Sequence, residues 1–290
     1  MPKICYKSKR FKDSSLSLIA TADAILDEYK AQGFELTLRG LYYQFVARDL
    51  MPNTTKSYNR LGAIINDARL AGLIDWSSIV DTTRRIETNA HWSSPLSILR
   101  DCVDWYAVDR WDSQPCNVEV WIEKDALKGV ISGVCRELDV PYFSCRGYVS
   151  QSEMWKASAR RMSNNNHTLI LHMGDHDPSG TDMTRDILDR LTMFDECDFD
   201  IKRIALNMDQ VEEYDPPPNP AKLTDSRIGG YLSEYGDESW ELDALEPSVM
   251  VDLIRSEVTS VIDYELWAEA EEKEDQGRRA LRDYVDKFTG

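Results

Sequence analysis

The stretch Leu171-His172-Met173-Gly174-Asp175-His176-Asp177-Pro178-Ser179-Gly180-Thr181-Asp182-Met183 decides how the rest of this chain is read. An apolar run, Leu169 to Leu171, ends in two carboxylates, Asp175 and Asp177, separated by one residue. Pro178 and Gly180 predict a turn, and the helical pattern TDMTRDILDRL follows it. A short buried strand that delivers two acids to its carboxyl end, in front of a helix, suits a divalent cation. Mg²⁺ takes one or two carboxylates and keeps several waters for a phosphate substrate. The same residues also suit an acidic turn whose carboxylates cap the next helix. On this stretch alone both readings stand.

Upstream, CNVEVWIEKDALKGVISGV (116–134) adds a second unit of the same kind. Val118, Val120 and Ile122 alternate with Glu119, Trp121 and Glu123, which is a strand period. A helical pattern begins near Asp125, so Glu123 also lies at a strand's carboxyl end. In a parallel α/β sheet those ends open onto one crevice, where ligands bind. Glu123, Asp175 and Asp177 are therefore expected to converge, although about fifty residues separate the first from the others. An acid after one strand and an Asp-x-Asp after a later one resemble the Toprim domain of topoisomerases, primases and some nucleases. The resemblance implies that the three acids hold Mg²⁺, or Mn²⁺, at a phosphodiester.

The 290 residues are enough for two domains and a sizeable core. A hydrophobic content of 42% with 29% charged residues fits an ordinary soluble protein. No apolar run approaches the roughly eighteen residues of a membrane span. The start, MPKICYKSKRFKDSS, is basic and has no apolar signal-peptide centre. Cys5, Cys102, Cys116, Cys135, Cys145 and Cys197 form no CxxC pair, which argues against a zinc site or a disulfide framework. The expected setting is the cytoplasm of a bacterial or phage-infected cell. Net charge is −17, unusual for a protein that meets DNA, but it is unevenly distributed. Residues 1–90 carry 13 Lys and Arg against 10 Asp and Glu, whereas 232–290 carry 6 against 17. The near end can face a phosphate backbone.

Three helical patterns open the chain: SSLSLIATADAILDEYK (14–30), LRGLYYQFVARDL behind the N-cap Thr37, and SYNRLGAIINDARLAG. LIDWSSIVDTTRR then predicts a short strand pair, or wing. Three helices and a wing suggest a winged-helix module whose third helix enters the major groove, although the turn before that helix is long. Lys56, Arg60, Arg69, Arg84 and Arg85 are its candidate phosphate contacts. A linker is expected over about 88–114. From 115 onward strands and helices alternate, which predicts a mainly parallel sheet with helices on both faces. The expected fold is thus α/β plus winged helix, with a winged-helix domain over 1–110 and a Rossmann-like domain with a helical extension over 111–290. SWELDALEPSVMVDLI reads as helical. The charged terminal helix ELWAEAEEKEDQGRRALRDYV reads as a solvated face. His176, between the two acids, projects from a turn and reads as structural or as a support behind the metal ligands.

Arg39-Gly40-Leu41-Tyr42-Tyr43 is the second chemical candidate. Leu38, Leu41, Tyr42 and Phe45 share one apolar face, which assigns Tyr42 to the core. Tyr43 is turned about 100° away and lies one turn from Arg39. An arginine there can ease formation of a phenolate and bind the phosphate under attack, and tyrosine can act as a covalent nucleophile. Val46 and Leu50 also follow Tyr43 at helical spacing, so two packing aromatics are the rival reading.

Taken in order, these motifs resemble the A subunit of type IIB topoisomerases (topoisomerase VI) and its meiotic relative. That family carries Arg-x-Ile-Tyr-Tyr, matched here by Arg39 to Tyr43, with Tyr43 at the nucleophile position. Its Val-Glu-Lys is matched by Ile122-Glu123-Lys124, its Gly-Tyr by Gly147-Tyr148, and its Asp-x-Asp-Pro-x-Gly by Asp175 to Gly180. MDQVEEYDPPPNPAKLTDSR and SWELDALEP are similar to later family segments. Gly40 replaces the family's acid after the arginine, and there is no ATP-binding motif. The size is similar to stand-alone, mini-A-like relatives of phages and plasmids. The resemblance implies a homodimer on double-stranded DNA, with or without a GHKL-type ATPase partner. It also implies a 5′-phosphotyrosyl break, with each tyrosine set against the partner's metal. Two rivals are a Toprim nuclease that uses no tyrosine and a non-catalytic DNA-binding protein of recombination or regulation.

Overall fold

The computed structural model describes residues 3–80, 88–163, 167–194, 199–221 and 227–288. Its first three helices are α1 (Asp13–Ala31), α2 (Leu38–Ala47) and α3 (Thr55–Leu70). The starts of α2 and α3 follow local chemistry: Thr37 accepts from the Gly40 N–H and Thr54 from the Ser57 N–H, each satisfying a donor the helix leaves open. Ile25, Leu26, Leu41, Phe45, Leu61 and Ile65 close these helices on one another. The expected wing is, over its described part, a 3₁₀ turn at Trp76–Ser78 and a single parallel bridge between Leu36 and Ile79. Arg84 and Arg85 lie outside the described residues.

The expected linker contains a helix, α4 (Pro95–Trp105), opened by a reciprocal cap between Ser94 and Ser97. Then come β1 (Cys116–Ile122), α5 (Lys128–Glu137), β2 (Tyr142–Ser144), α6 (Gln151–Ser163), β3 (His167–Met173), α7 (Pro178–Phe194) and β4 (Phe199–Ala205). The four strands form a wholly parallel sheet in the order β2-β1-β3-β4. This is the α/β sheet that the alternation predicts. On one face Val118, Val120, Ile122, Leu171 and Met173 pack with Ile131 and Val134 of α5. On the other, Trp121 and Ile170 meet Met154 of α6 and Ile187 and Leu191 of α7. Each such side chain contributes about 1.5–3 kcal/mol on burial, so alternation along β1 is enough to commit both faces.

After β4 come α8 (Met208–Tyr214), β5 (Asn219–Pro220), α9 (Ile228–Tyr235), β6 (Glu238–Ser239), α10 (Pro247–Thr259) and α11 (Tyr264–Asp286), with β5 and β6 paired antiparallel. The segment expected to be one helix from Ser239 divides in two. Trp240 bridges to His176, Leu242–Ala244 is a 3₁₀ turn, and α10 begins at Pro247. Proline holds the preceding residue extended and fits the first helical position, so α10 starts there and no earlier. Helix α11 is not simply a solvated face. Glu274 is buried and accepts from the Val108 N–H at 3.1 Å. A Cβ on Gly277 would lie 2.3 Å from the Tyr106 ring, so the glycine permits this contact. Among the described residues no helix is long and apolar enough to cross a membrane.

Candidate active site

The strand order places the chemistry. The chain leaves β1 toward β2 on one side and then returns past β1 to β3 on the other. The crevice between β1 and β3 is therefore the switch point, where ligands bind in such sheets. Glu123 follows β1 and donates its backbone N–H to Met173 O at 2.8 Å, continuing the ladder. Asp175 and Asp177 follow β3. Glu123 Oε2 accepts from the Asp175 N–H at 2.8 Å. Burial and the Asp175 charge push the Glu123 carboxyl above the ordinary carboxylate range. Burial likewise raises Asp175, with Lys124 opposing.

Asp177 Oδ1 accepts from the Gly180 N–H at 2.7 Å and from the Ser179 N–H at 3.0 Å. It therefore caps α7, which is the alternative that the sequence leaves open. Pro178 and Gly180 do not turn the chain, because both lie in the first turn of α7. Gly180 is needed there for another reason: a Cβ would sit 2.2 Å from the Asp175 carbonyl oxygen. His176 is enclosed by Tyr231, Tyr235 and Trp240, and its Nδ1 lies 2.8 Å from the Tyr231 hydroxyl. The ring is packed among aromatic side chains and held by that hydrogen bond.

Arg203, from β4, holds this loop from below. Its guanidinium donates to Gly174 O at 2.9 Å, Asp175 O at 2.6 Å and Gly180 O at 2.8 Å. The sequence shows only an arginine in a strand and gives no sign of this clamp. Glu241 and Asp243 are also absent from the sequence-based set. Leu242 donates its N–H to Asp175 Oδ1 at 2.8 Å, which brings both acids to the crevice. There Lys124 Nζ meets Asp175 Oδ1 at 2.8 Å, Glu241 Oε2 at 2.8 Å and Asp243 Oδ1 at 3.1 Å.

The tyrosine motif reaches the same network. Arg39 pairs with Glu241 and, through Nε, with Asp243 at 2.7 Å. Its Nη2 lies 3.5 Å from the Tyr43 hydroxyl. Tyr42 is the core residue that its helix face indicates: its hydroxyl accepts from the Thr54 N–H at 2.7 Å and fixes the turn before α3. Tyr43 is also buried, at 3% exposure, which agrees with the rival reading of two packing aromatics. It nonetheless lines a cleft of about 370 Å³ with Arg39, Asn53, Asn219 and Glu241. A neighbouring cleft of about 360 Å³ is lined by Glu123, Lys124, Asp125, Arg146 and Asp243, and Arg39 borders both.

Arg39 is expected to ease ionisation of Tyr43, and it does pull in that direction. Burial and the Glu241 charge outweigh it, and the Tyr43 phenol is pushed up to about 12. Glu241 is held down at about 2. Burial opposes this, but Lys124 and Arg39 prevail. Both cations are raised above their ordinary values by the facing acids, against the effect of burial.

The donors Glu123, Asp175 and Asp177 are all carboxylate oxygens, the type a hard divalent cation takes. Glu123 and Asp175 crowd each other, and such a pair is relieved by positive charge. The donor set fits Mg²⁺ in its chemistry. As arranged, with Asp177 on the helix cap and Asp175 on Leu242 and Lys124, no group of three or more His, Cys, Asp or Glu among the described residues encloses an ion.

Of the candidate phosphate contacts, Lys56 and Arg60 are exposed on α3. Arg69 instead stacks on Trp76, with its guanidinium carbon 4.6 Å from the ring centroid, and donates to the Trp76 carbonyl. Its planar fork is committed to the turn after α3. No protein-family model matches the chain, and no curated protein matches it.

Proposed function

We propose that this chain is a Mg²⁺-dependent, DNA-cleaving enzyme of the topoisomerase type, with Tyr43 as nucleophile. On this reading the three-helix unit is a winged-helix domain and the sheet unit is a Toprim domain. One observation carries the reading: Tyr43 and Arg39 join the Glu123–Asp175 crevice through a continuous network of Glu241, Asp243 and Lys124. A nucleophile, two cations suited to a phosphodiester and a carboxylate crevice thus share one place.

Duplex DNA approaches along α3, where Lys56 and Arg60 can neutralise phosphates. Arg39 binds a non-bridging oxygen with its planar fork, and Lys124 supplies a second positive charge to the same group. Tyr43 Oη bonds to phosphorus, the bond to the 3′ oxygen breaks, and the proton lost by tyrosine is balanced by one gained at the 3′ hydroxyl through water. Glu123, Asp175 and Asp177 would hold Mg²⁺, which supplies charge neutralisation for the phosphorane-like transition state. Arg203 keeps the loop of Asp175 in place from beneath. Two copies of the chain related by a two-fold axis would match the two strands of a duplex. The contacts within one chain support a site assembled in cis, against the shared site that the family resemblance implies.

The test is incubation with supercoiled DNA and Mg²⁺, denaturation, and detection of protein covalently attached to DNA ends. Cut DNA with free ends would support a nuclease instead. DNA that is bound but stays intact would support a non-catalytic role.

A further inference from the structure

The Glu241 carboxylate bridges the two cations that the proposed reaction requires. Its Oε2 meets both Arg39 Nη2 and Lys124 Nζ, the latter at 2.8 Å. The same Nη2 lies 3.5 Å from the Tyr43 hydroxyl. Resting on the reading of this crevice as a DNA-cleaving site, we infer that Glu241 occupies the seat of the scissile phosphodiester, and that DNA enters by displacing it.

Three observations support the exchange. First, carboxylate and phosphodiester each bring one negative charge and a pair of acceptor oxygens, so the substitution leaves the charge of the network unchanged. Second, Arg39 and Lys124 keep Asp243, at 2.7 and 3.1 Å, when Glu241 leaves, so neither cation loses its place. Third, the backbone around Glu241 is pinned: Trp240 exchanges N–H···O bonds with His176 at 2.8 and 2.9 Å, and Leu242 donates to Asp175. Only the side chain has to swing, and it is 23% exposed, at the edge of the Tyr43 cleft. A phosphate in this seat would lie against Tyr43 without any rearrangement of the fold. It would also remove the carboxylate whose charge opposes ionisation of the phenol.

The test compares wild type with Glu241→Gln, Glu241→Asp and, as a control for charge alone, Glu238→Gln on the exposed β6 position. Binding of a fluorescein-labelled duplex is followed by anisotropy in EDTA, where chemistry is silent. Thermal melting is recorded in inorganic phosphate and in chloride at matched ionic strength. Glu241→Gln is expected to bind the duplex about tenfold tighter than wild type, the worth of one charge-assisted contact. Glu238→Gln should gain about twofold or less, from long-range attraction alone. Phosphate should raise the melting temperature of Glu241→Gln and leave wild type unchanged. Glu241→Asp keeps the charge but is too short to bridge both cations, and should show a smaller phosphate effect in the same direction. It serves if the glutamine variant folds poorly. If neither variant responds to phosphate, or if glutamine binds DNA no better than the Glu238 control, the inference is overturned. Loss of the phosphate effect while covalent adducts still form would refute the seat alone. A phosphate effect without adducts would refute the cleavage reading alone.

Discussion

Arg203→Met should destabilise the protein by about 3–5 kcal/mol, although the residue touches no predicted substrate. The magnitude follows from which carbonyls the guanidinium serves. Gly174 O also accepts from the Leu206 N–H at 2.8 Å, and Gly180 lies within α7, so both are supported without the arginine. Asp175 O, at 2.6 Å, and Leu206 O, at 3.2 Å, depend on it. Leaving a buried carbonyl unsatisfied costs about 1–3 kcal/mol each. Removal of the cation also leaves Glu123, Asp175 and Asp177 with less opposing charge, which adds to the loss. Methionine fills similar space, so cavity formation contributes little. Arg203→Lys places one ammonium where a fork served several oxygens, and should recover about half of the loss. The assay is urea unfolding followed by circular dichroism, with the slope checked for constancy. A loss below about 1 kcal/mol for the methionine variant would show that the loop is held by other means.

Four further outcomes are expected. Glu123→Ala or Asp175→Ala should abolish DNA cleavage while duplex binding persists, and excess chelator should do the same to wild type; full cleavage in either case would remove the metal assignment. Tyr43→Phe should end covalent attachment to DNA, whereas Tyr42→Phe should retain it and lose about 1–2 kcal/mol of stability with its bond to Thr54; covalent attachment by Tyr43→Phe would falsify the nucleophile. A mixture of Tyr43→Phe and Glu123→Ala chains should stay inactive after demonstrated subunit exchange, because both halves of the site meet within one chain; restored nicking would establish a site shared between protomers. Burial, with Arg203 nearby, lowers His172 to about 3, so the unfolded chain takes up a proton below about pH 6.5 that the folded one refuses. Stability from this group is complete above that pH and should fall by about 1.4 kcal/mol per unit toward pH 3. His172→Gln should show a correspondingly shallower decline in urea unfolding at pH 7 and 5, and equal slopes would refute the assignment.

The strands β1 and β3, the acids at their ends and the helices behind them were legible in the sequence, because each depends on local periodicity. Alternation along Val118–Ile122 commits a strand, and a carboxylate one step beyond it must lie on the carboxyl edge. Tyr42 as a core residue and Thr37 as a cap follow from the pattern of their own helix, whereas the rings packed around His176 come from Tyr231, Tyr235 and Trp240 in distant segments. The burial of Tyr43 was one of two readings its helix spacing allowed, but the cleft it shares with Asn219 and Glu241 was not legible, since those residues arrive from distant segments. Nor was the service of Asp177 as a cap distinguishable from service to a cation, because one pattern suits both. Arg203 carries no local signature, and Glu241 and Asp243 stand in the SWELDALEP segment without any local sign that they face the crevice. They become part of the site only because β4 lies beside β3 and because Leu242 bonds to Asp175 across 67 residues. Periodicity fixes which way a side chain faces along its own element. The pairing of buried charges depends on where separate loops land, and that is settled only when the sheet and its covering helices have closed.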